Sequence, residues 1–381
     1  MMPGLSRLLH RDTESGGFDV AVNRAHRYLV HVESGLLGRI GVMVRDLAEQ
    51  QGADRLVLVA DRGAARHHLP AVDAVLERSG LARETVLVPE GESAKTTDGL
   101  DLLWHALHRA GTTRRTLVLG LGGGVVCDLT TAAAATYMRG IPYALLPTTL
   151  LAQVDAAVGG KGGADYQGAK NLIGAFHHPV AVFVDPELLR TLSPHHLSNG
   201  LAEVVKVALI ADPALFALLE DGVGRELSDL PWEAIVRAAL RAKLDLLGPD
   251  PFEQGDLRRL LNLGHCFGHP YEAVSGFRVP HGEAVAAGLA VATGVGLATG
   301  RSRTQDADRI LALLTDHRLP ITMPRDLRPR VWDELDTVRR VRNGVLHLVV
   351  PRSPGRCTVV DDIPRSAFDE ALARLDTWST R

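Results

Sequence analysis

Short runs of consecutive apolar residues alternate with longer stretches in which apolar positions recur every three or four. This alternation fills the first half of the chain. Residues 55–60 (RLVLVA), 85–89 (TVLVP), 116–121 (TLVLGL), 142–147 (PYALLP) and 180–184 (VAVFV) are apolar and bounded by Gly, Pro or Asp. Strands buried on both faces of a parallel sheet read this way. Between them, 97–110 and 125–138 carry helical spacing, and 18–33 reads as an antiparallel pair leading into a helix over 37–51. The expected fold is a Rossmann-like α/β parallel sheet with helices on both faces. From 187 onward the pattern turns helical, over 198–210, 213–220, 232–247, 257–274, 281–299, 304–317 and 365–378, with one hairpin at 344–350 and 356–360. Two domains follow, 1–186 α/β and 187–381 mainly helical, packed around a cleft without a long linker.

Composition narrows the function. With 381 residues, 46% hydrophobic and 23% charged, the chain is globular and long enough for two cores. A net charge of −3 gives no bulk attraction for nucleic acid or anionic membranes. No run approaches the ~18 consecutive apolar residues of a membrane span. Cys127, Cys266 and Cys357 are too scattered for a disulfide framework or a zinc ribbon. A cytoplasmic enzyme acting on a small molecule is the expectation. The 42 basic residues comprise 37 arginines and only five lysines, at 95, 161, 170, 206 and 243. An ammonium is a compact, titratable point charge and a guanidinium is a planar fork that stays protonated. Five lysines kept in one stretch of an Arg-rich chain are therefore candidates for chemistry.

Several regions carry candidate sites. Gly120, Gly122, Gly123 and Gly124 follow a strand and open a helix, with Asp128 beyond, as at a phosphate-binding turn, although a tight strand-to-helix turn alone would also use glycine. A second loop, residues 89–96, brings Glu92 and Lys95 to the same sheet edge. Residues 147–176 hold six glycines, Lys161, Lys170, Asp155 and Asn171 without a clear period, and read as an anion-binding loop. In 257–274 the spacing of Arg258, Asn262, His265 and His269 places all four on one face of an expected continuous helix, with Gly264 and Gly268 admitting something close to the backbone. Glu203 and Lys206 sit three apart on an apolar helix, and His281 starts another. Glu203, His265 and His281 form one possible metal set, and His265 with His269 a competing one.

Together the stretches PEGESAK, GLGGGVVCDL, TYMRGIPYALLPTTLLAQVDAAVGGK, GAKNLIGAFHHP, LSNGLAEVVK, LLNLGHCFGH and HGEAVAAG resemble the 3-dehydroquinate synthase family of sugar-phosphate cyclases. The resemblance implies an NAD-binding domain, a helical metal domain, a homodimer and a sugar phosphate substrate. It implies Glu203, His265 and His281 as ligands of Zn²⁺ or Co²⁺. Glu92, Lys95, Gly123, Gly124, Asp128, Thr148, Thr149 and Lys170 would line the NAD pocket. Lys161, Lys206, Lys243 and His269 would be catalytic, with Asp155, Asn171, Arg258 and Asn262 on the substrate and Arg139 reaching into the partner subunit's site. The implied chemistry is transient oxidation of a ring alcohol, β-elimination of phosphate, return of the hydride and an intramolecular aldol closure.

The chain also departs from the family pattern. Val338-Arg339-Arg340 stands where Asp-Lys-Lys is usual, so the role of a substrate lysine passes to Arg339 or Arg340. Gly162-Gly163-Ala164-Asp165 replaces T-G-V-N, Thr130-Thr131 replaces Ala-Gly, Cys127 and Cys266 replace Gly and Thr, and Asn199 is a variant of secondary-metabolism cyclases. Retention of Lys243, Arg258, Asn262 and His269 favours a substrate carboxylate, as in 3-deoxy-D-arabino-heptulosonate 7-phosphate. Alternatives are a valiolone-type sedoheptulose 7-phosphate cyclase, an amino-dehydroquinate synthase, a metal-dependent polyol dehydrogenase, or an inactive binding paralogue.

Overall fold

Runs that are apolar at every position need cover on both faces, and the first half of the chain supplies it by alternating strand and helix. The computed structural model describes residues 7–12, 18–23, 26–252, 258–341 and 344–378. A hairpin of β1 (Arg7–Asp12) and β2 (Phe18–Asn23) comes first, then β3 (Leu29–Val32), α1 (Ile40–Gln51), β4 (Arg55–Asp61), α2 (Arg62–Leu76), β5 (Ala82–Val88) and α3 (Thr97–Arg109). They are followed by β6 (Thr116–Gly122), α4 (Gly124–Thr136), β7 (Tyr143–Pro147), β8 (Lys161–Tyr166), β9 (Ala169–Phe176) and β10 (Ala181–Val184). The main sheet has the order β3-β10-β7-β6-β4-β5 and is parallel throughout. On one face Ile40, Val44, Val72 and Leu76 cover Leu56, Leu58, Leu117, Leu119 and Phe183. The other face, with Val57, Val59 and Val118, shares a core with α3, α4 and the helical half.

Two expectations change here. The antiparallel pair is β1 with β2; residues 29–32 instead join the parallel sheet, with Leu29 opposite Ala181. The glycine-rich 147–176 segment is not one loop, because most of it is the β8–β9 hairpin. Its glycines serve packing: a Cβ on Gly162 would lie 2.5 Å from the backbone nitrogen of Ala132, and one on Gly174 2.4 Å from the carbonyl oxygen of Gly162. The hairpin is thereby pressed onto α4.

The second half contains α5 (Pro194–Ala211), α6 (Pro213–Glu220), α7 (Trp232–Leu247), α8 (Arg258–Leu261), α9 (His265–Val274), α10 (His281–Ala298), α11 (Thr304–Asp316), α12 (Arg328–Val341) and α13 (Arg365–Trp378), with the β11 (Leu348–Ser353) and β12 (Arg356–Val360) hairpin before α13. Helix α12 was not expected; Val331, Trp332 and Leu335 turn one face of it into the core. The centre is α10, buried at every position from Ala284 to Gly296 and packed against α5, α9, α11, α13 and β11. It is long and apolar enough on average to cross a membrane, although no uninterrupted apolar run marks it, but 78% of it is buried within the protein.

The predicted helix over 257–274 is broken. Asn262, Leu263 and Gly264 turn between α8 and α9, and Gly264 adopts φ 77°, which a β-carbon disfavours. The four-residue polar stripe on one helix is therefore overturned, since Arg258 and Asn262 precede the break. Close approach at Gly264 and Gly268 comes from α10: a Cβ on Gly268 would sit 2.9 Å from the Ala284 carbonyl oxygen.

Candidate active site

The sheet changes direction between β4 and β6, because β5 lies to one side of β4 and the next strand, β6, to the other. Ligands of open α/β sheets bind outside the carboxyl ends of strands at such a point. There Asp61 caps α2, accepting from the Ala64 nitrogen at 2.8 Å, while Gly123 and Gly124 lead into α4. A Cβ on Gly123 would come within 3.1 Å of Thr149 Cγ2, so backbone fills the turn where a side chain would stand. Thr148 is buried and donates its N–H to Gly122 at 2.9 Å, and Thr149 Oγ1 accepts from Ala152 at 3.2 Å. A thirteen-residue helix aimed from this turn offers its positive end to an anion such as a pyrophosphate. Beside it Lys95 is buried and paired with Asp128. Burial works against the Lys95 charge, but Asp128 and then Glu92 outweigh it and keep the ammonium protonated. Lys95, Gly123, Gly124, Asp128, Thr148 and Thr149 thus gather at one end of the sheet.

Asp155 lies on a single π-helical turn, Ala152–Ala156, between β7 and β8. Such turns carry one extra residue and recur at functional sites. Its Oδ1 is 2.7 Å from Lys243 Nζ, which also donates to the Val158 carbonyl at 2.8 Å. Burial raises the Asp155 pKa, yet Lys243 and then Lys206 hold it below the usual carboxylate range. Lys243 is pushed down by burial, against Asp155, with Lys161 and Lys206 adding to the fall. Lys206 and Lys161 thus add positive charge around the Asp155–Lys243 pair.

The helical half supplies the third group. Glu203 and Lys206 on α5 are both buried and ion-paired. Glu203 Oε1 lies 3.3 Å from His265 Nε2 and 3.2 Å from His281 Nε2. Neighbouring ligands around a tetrahedral ion with ~2.0–2.1 Å bonds are about 3.3 Å apart, so this donor set fits a divalent metal. The side-chain nitrogens of His265, His269 and His281 also fall within 4.8 Å of one another. The Glu203 set is the better chelate, because its buried oxygen meets both imidazoles while His269 opens to the cleft. Desolvation, then His265, lowers the His269 pKa, leaving it a neutral imidazole.

One residue escaped the sequence reading. Glu272, buried on α9, places its carboxylate 3.3 Å from His281 Nδ1 and 2.8 Å from Lys170 Nζ. Lys170 in turn lies 3.4 Å from Glu92. Burial raises the Glu272 pKa, but His281 and Lys170 bring it to about 2; the signal available in sequence was a lone carboxylate in the apolar run PYEAV.

The other expected residues come from separate elements. Asn171 is exposed, with its N–H given to Asp165 at 2.8 Å and φ 53°. Arg139 is exposed at the end of the α4 turn with φ 63°. The Asn262 carbonyl accepts from the Cys266 nitrogen at 3.2 Å, and the Arg258 side chain lies outside the described residues. Arg339 is held by Asp336 and Asp362 and stacks on Trp332, 5.1 Å from the ring centroid. Arg340 donates to Thr337 at 2.9 Å. These contacts turn both arginines toward their own helix and its surroundings.

Comparison with known proteins bears on this arrangement. Profiles described as 3-dehydroquinate synthase N-terminal and 3-dehydroquinate synthase C-terminal match residues 85–199 and 200–337. The chain is 43% identical to a 2-epi-valiolone synthase of Stigmatella aurantiaca over 93% of its own length and 90% of that protein's. It is 39% identical to a 3-dehydroquinate synthase of Symbiobacterium thermophilum, over 92% and 98%. Among solved structures it resembles the 2-epi-5-epi-valiolone synthase of Streptomyces hygroscopicus subsp. jinggangensis, determined with NAD⁺ and Zn²⁺ bound. The TM-score is 0.86 and the identity 30%, covering 94% of this chain and 99% of that one.

Proposed function

The chain belongs to the 3-dehydroquinate synthase family of sugar-phosphate cyclases, and on that footing we propose that it closes a seven-carbon ketose phosphate, sedoheptulose 7-phosphate, into a valiolone-type carbocycle with loss of phosphate. The observation that carries the choice of substrate is the capture of Arg339 by Asp336 and Asp362. The heptulosonate has a carboxylate at the carbon where sedoheptulose 7-phosphate has a neutral hydroxymethyl group. A site with one cation fewer suits the neutral group.

NAD⁺ at the Gly123–Gly124 turn and Zn²⁺ or Co²⁺ between Glu203, His265 and His281 would supply reversible hydride acceptance and Lewis acidity. Lys161, Lys206 and Lys243 concentrate positive charge for a leaving phosphate and developing oxyanions. Asp155 balances that charge and holds Lys243 in place. His269, kept neutral, can accept a hydrogen bond at the cleft wall. Burial of Glu203 and Lys206 keeps bulk water from the end of the cleft where the metal would sit. A homodimer in which the exposed Arg139 completes the partner's site belongs to the same reading.

A second reading, a 3-dehydroquinate synthase proper, is favoured by the retained Asn262 and His269. Purified protein with NAD⁺ and Zn²⁺, offered each phosphate separately, distinguishes them. Phosphate release from sedoheptulose 7-phosphate is expected; turnover of the heptulosonate alone would transfer the assignment. Accumulation of NADH in step with substrate would sink both cyclase readings in favour of a dehydrogenase.

A further inference from the structure

Glu272 is used by neither the proton chemistry nor the chelate described above, yet it is almost fully buried and its carboxylate meets partners on two other elements. Its carboxylate meets His281 Nδ1 at 3.3 Å at the start of α10, and Lys170 Nζ at 2.8 Å on the β8–β9 hairpin. The other nitrogen of His281, Nε2, faces Glu203 Oε1 at 3.2 Å. Lys170 continues toward Glu92, 3.4 Å away, on the loop that follows β5 at the cofactor end of the sheet. Glu92, Lys170, Glu272, His281 and Glu203 thus form an unbroken file of alternating partners from one ligand region to the other. A chelating histidine needs its remote N–H directed to an acceptor, which fixes both tautomer and ring plane. Lys170 needs a fixed anion if it is to hold one position beside the cofactor turn. One buried carboxylate serves both demands.

Resting on the cofactor reading above, we propose that Glu272 is a positioning residue that couples metal binding to NAD⁺ binding. An ion at Glu203, His265 and His281 fixes the His281 ring, which fixes Glu272, which holds Lys170 toward the cofactor. Linkage requires the effect to be reciprocal: whatever factor the metal adds to NAD⁺ affinity, NAD⁺ adds to metal affinity.

The test is a thermodynamic cycle on the full-length protein. Co²⁺ affinity is measured by its absorption bands with and without saturating NAD⁺, and NAD⁺ affinity by calorimetry with and without Co²⁺. In the unaltered protein each ligand should tighten the other, by about 5-fold or more. Glu272→Gln should weaken Co²⁺ binding about 10- to 100-fold and bring the mutual factor to about 1. Lys170→Ala, at a half-exposed position, should abolish the factor while sparing most of the Co²⁺ affinity, and it serves if Glu272→Gln fails to fold by circular dichroism. A merely structural Glu272 would lower both affinities and leave the factor unchanged, and that result overturns the proposal. Two ligands that bind the unaltered protein independently would overturn it while leaving the cofactor reading intact. No binding of either ligand would overturn both.

Discussion

The two halves of the molecule build their parts of the cleft by opposite means, and glycine shows the difference. At the end of the sheet, Gly123 and Gly124 leave out side chains, and on the function proposed above their backbone N–H groups would face a ligand. In the helical half, Gly264, Gly268, Gly282 and Gly288 leave out side chains so that helices can touch: a Cβ on Gly282 would lie 1.8 Å from the Asn199 carbonyl oxygen, and one on Gly288 2.0 Å from that of Gly264. On the function proposed above, backbone would be the binding surface at the end of the sheet. In the second half it is a spacer that brings Glu203, His265 and His281 within reach of one another. The same residue type would therefore serve a ligand at the Gly123–Gly124 turn and a neighbouring helix in the second half.

This contrast can be broken experimentally, beginning with the side chains. Glu203→Ala removes the oxygen shared by both imidazoles and should abolish metal retention, with kcat/KM falling about 10³-fold or more; metal content after dialysis, alongside turnover, checks it. Next come the spacers. Gly282→Ala should lower stability by about 1–3 kcal/mol, read as a drop in Tm, and weaken metal binding through the displaced His281. Gly123→Ala, at φ −80° and with a Cβ 3.1 Å from Thr149, should leave Tm nearly unchanged and raise the Kd for NAD⁺ instead. Equal Tm losses for the two variants would erase the distinction. A chelator should lower Tm by a few degrees and release protons on metal return, because between Glu203 and Glu272 the His281 pKa stands at about 9 without metal: burial lowers it, but both carboxylates raise it further. Metal affinity should accordingly rise with pH up to about 9. Smallest of all, Arg339→Ala should leave KM within about twofold, since its charge is already spent on Asp336 and Asp362; a large rise in KM would return that residue to the substrate.

Much of this was legible in sequence, and unevenly so. The parallel strands were readable because burial on both faces leaves a run with no polar interruption. Lys95, Lys206 and Lys243 stood out through their scarcity, and all three proved buried in ion pairs. The break at Gly264 was not readable, because a 4-3-4 spacing of polar residues satisfies a continuous helix and a broken one alike. Glycines in 147–176 misled for a related reason: hairpin packing on α4 and a flexible anion loop ask for the same residue. Glu272 went unseen because its partners lie 9 and 102 positions away, beyond any local period.

Helix α10 has a consequence of a different kind. A segment apolar on every side has no face to leave in water, so it gains little until α5, α9, α11, α13 and β11 have closed around it. His281 is its first residue and cannot meet Glu203 before that closure. Bound Co²⁺ would then arrive as the last witness to assembly, and its colour in a refolding experiment would date the moment the helical half becomes native.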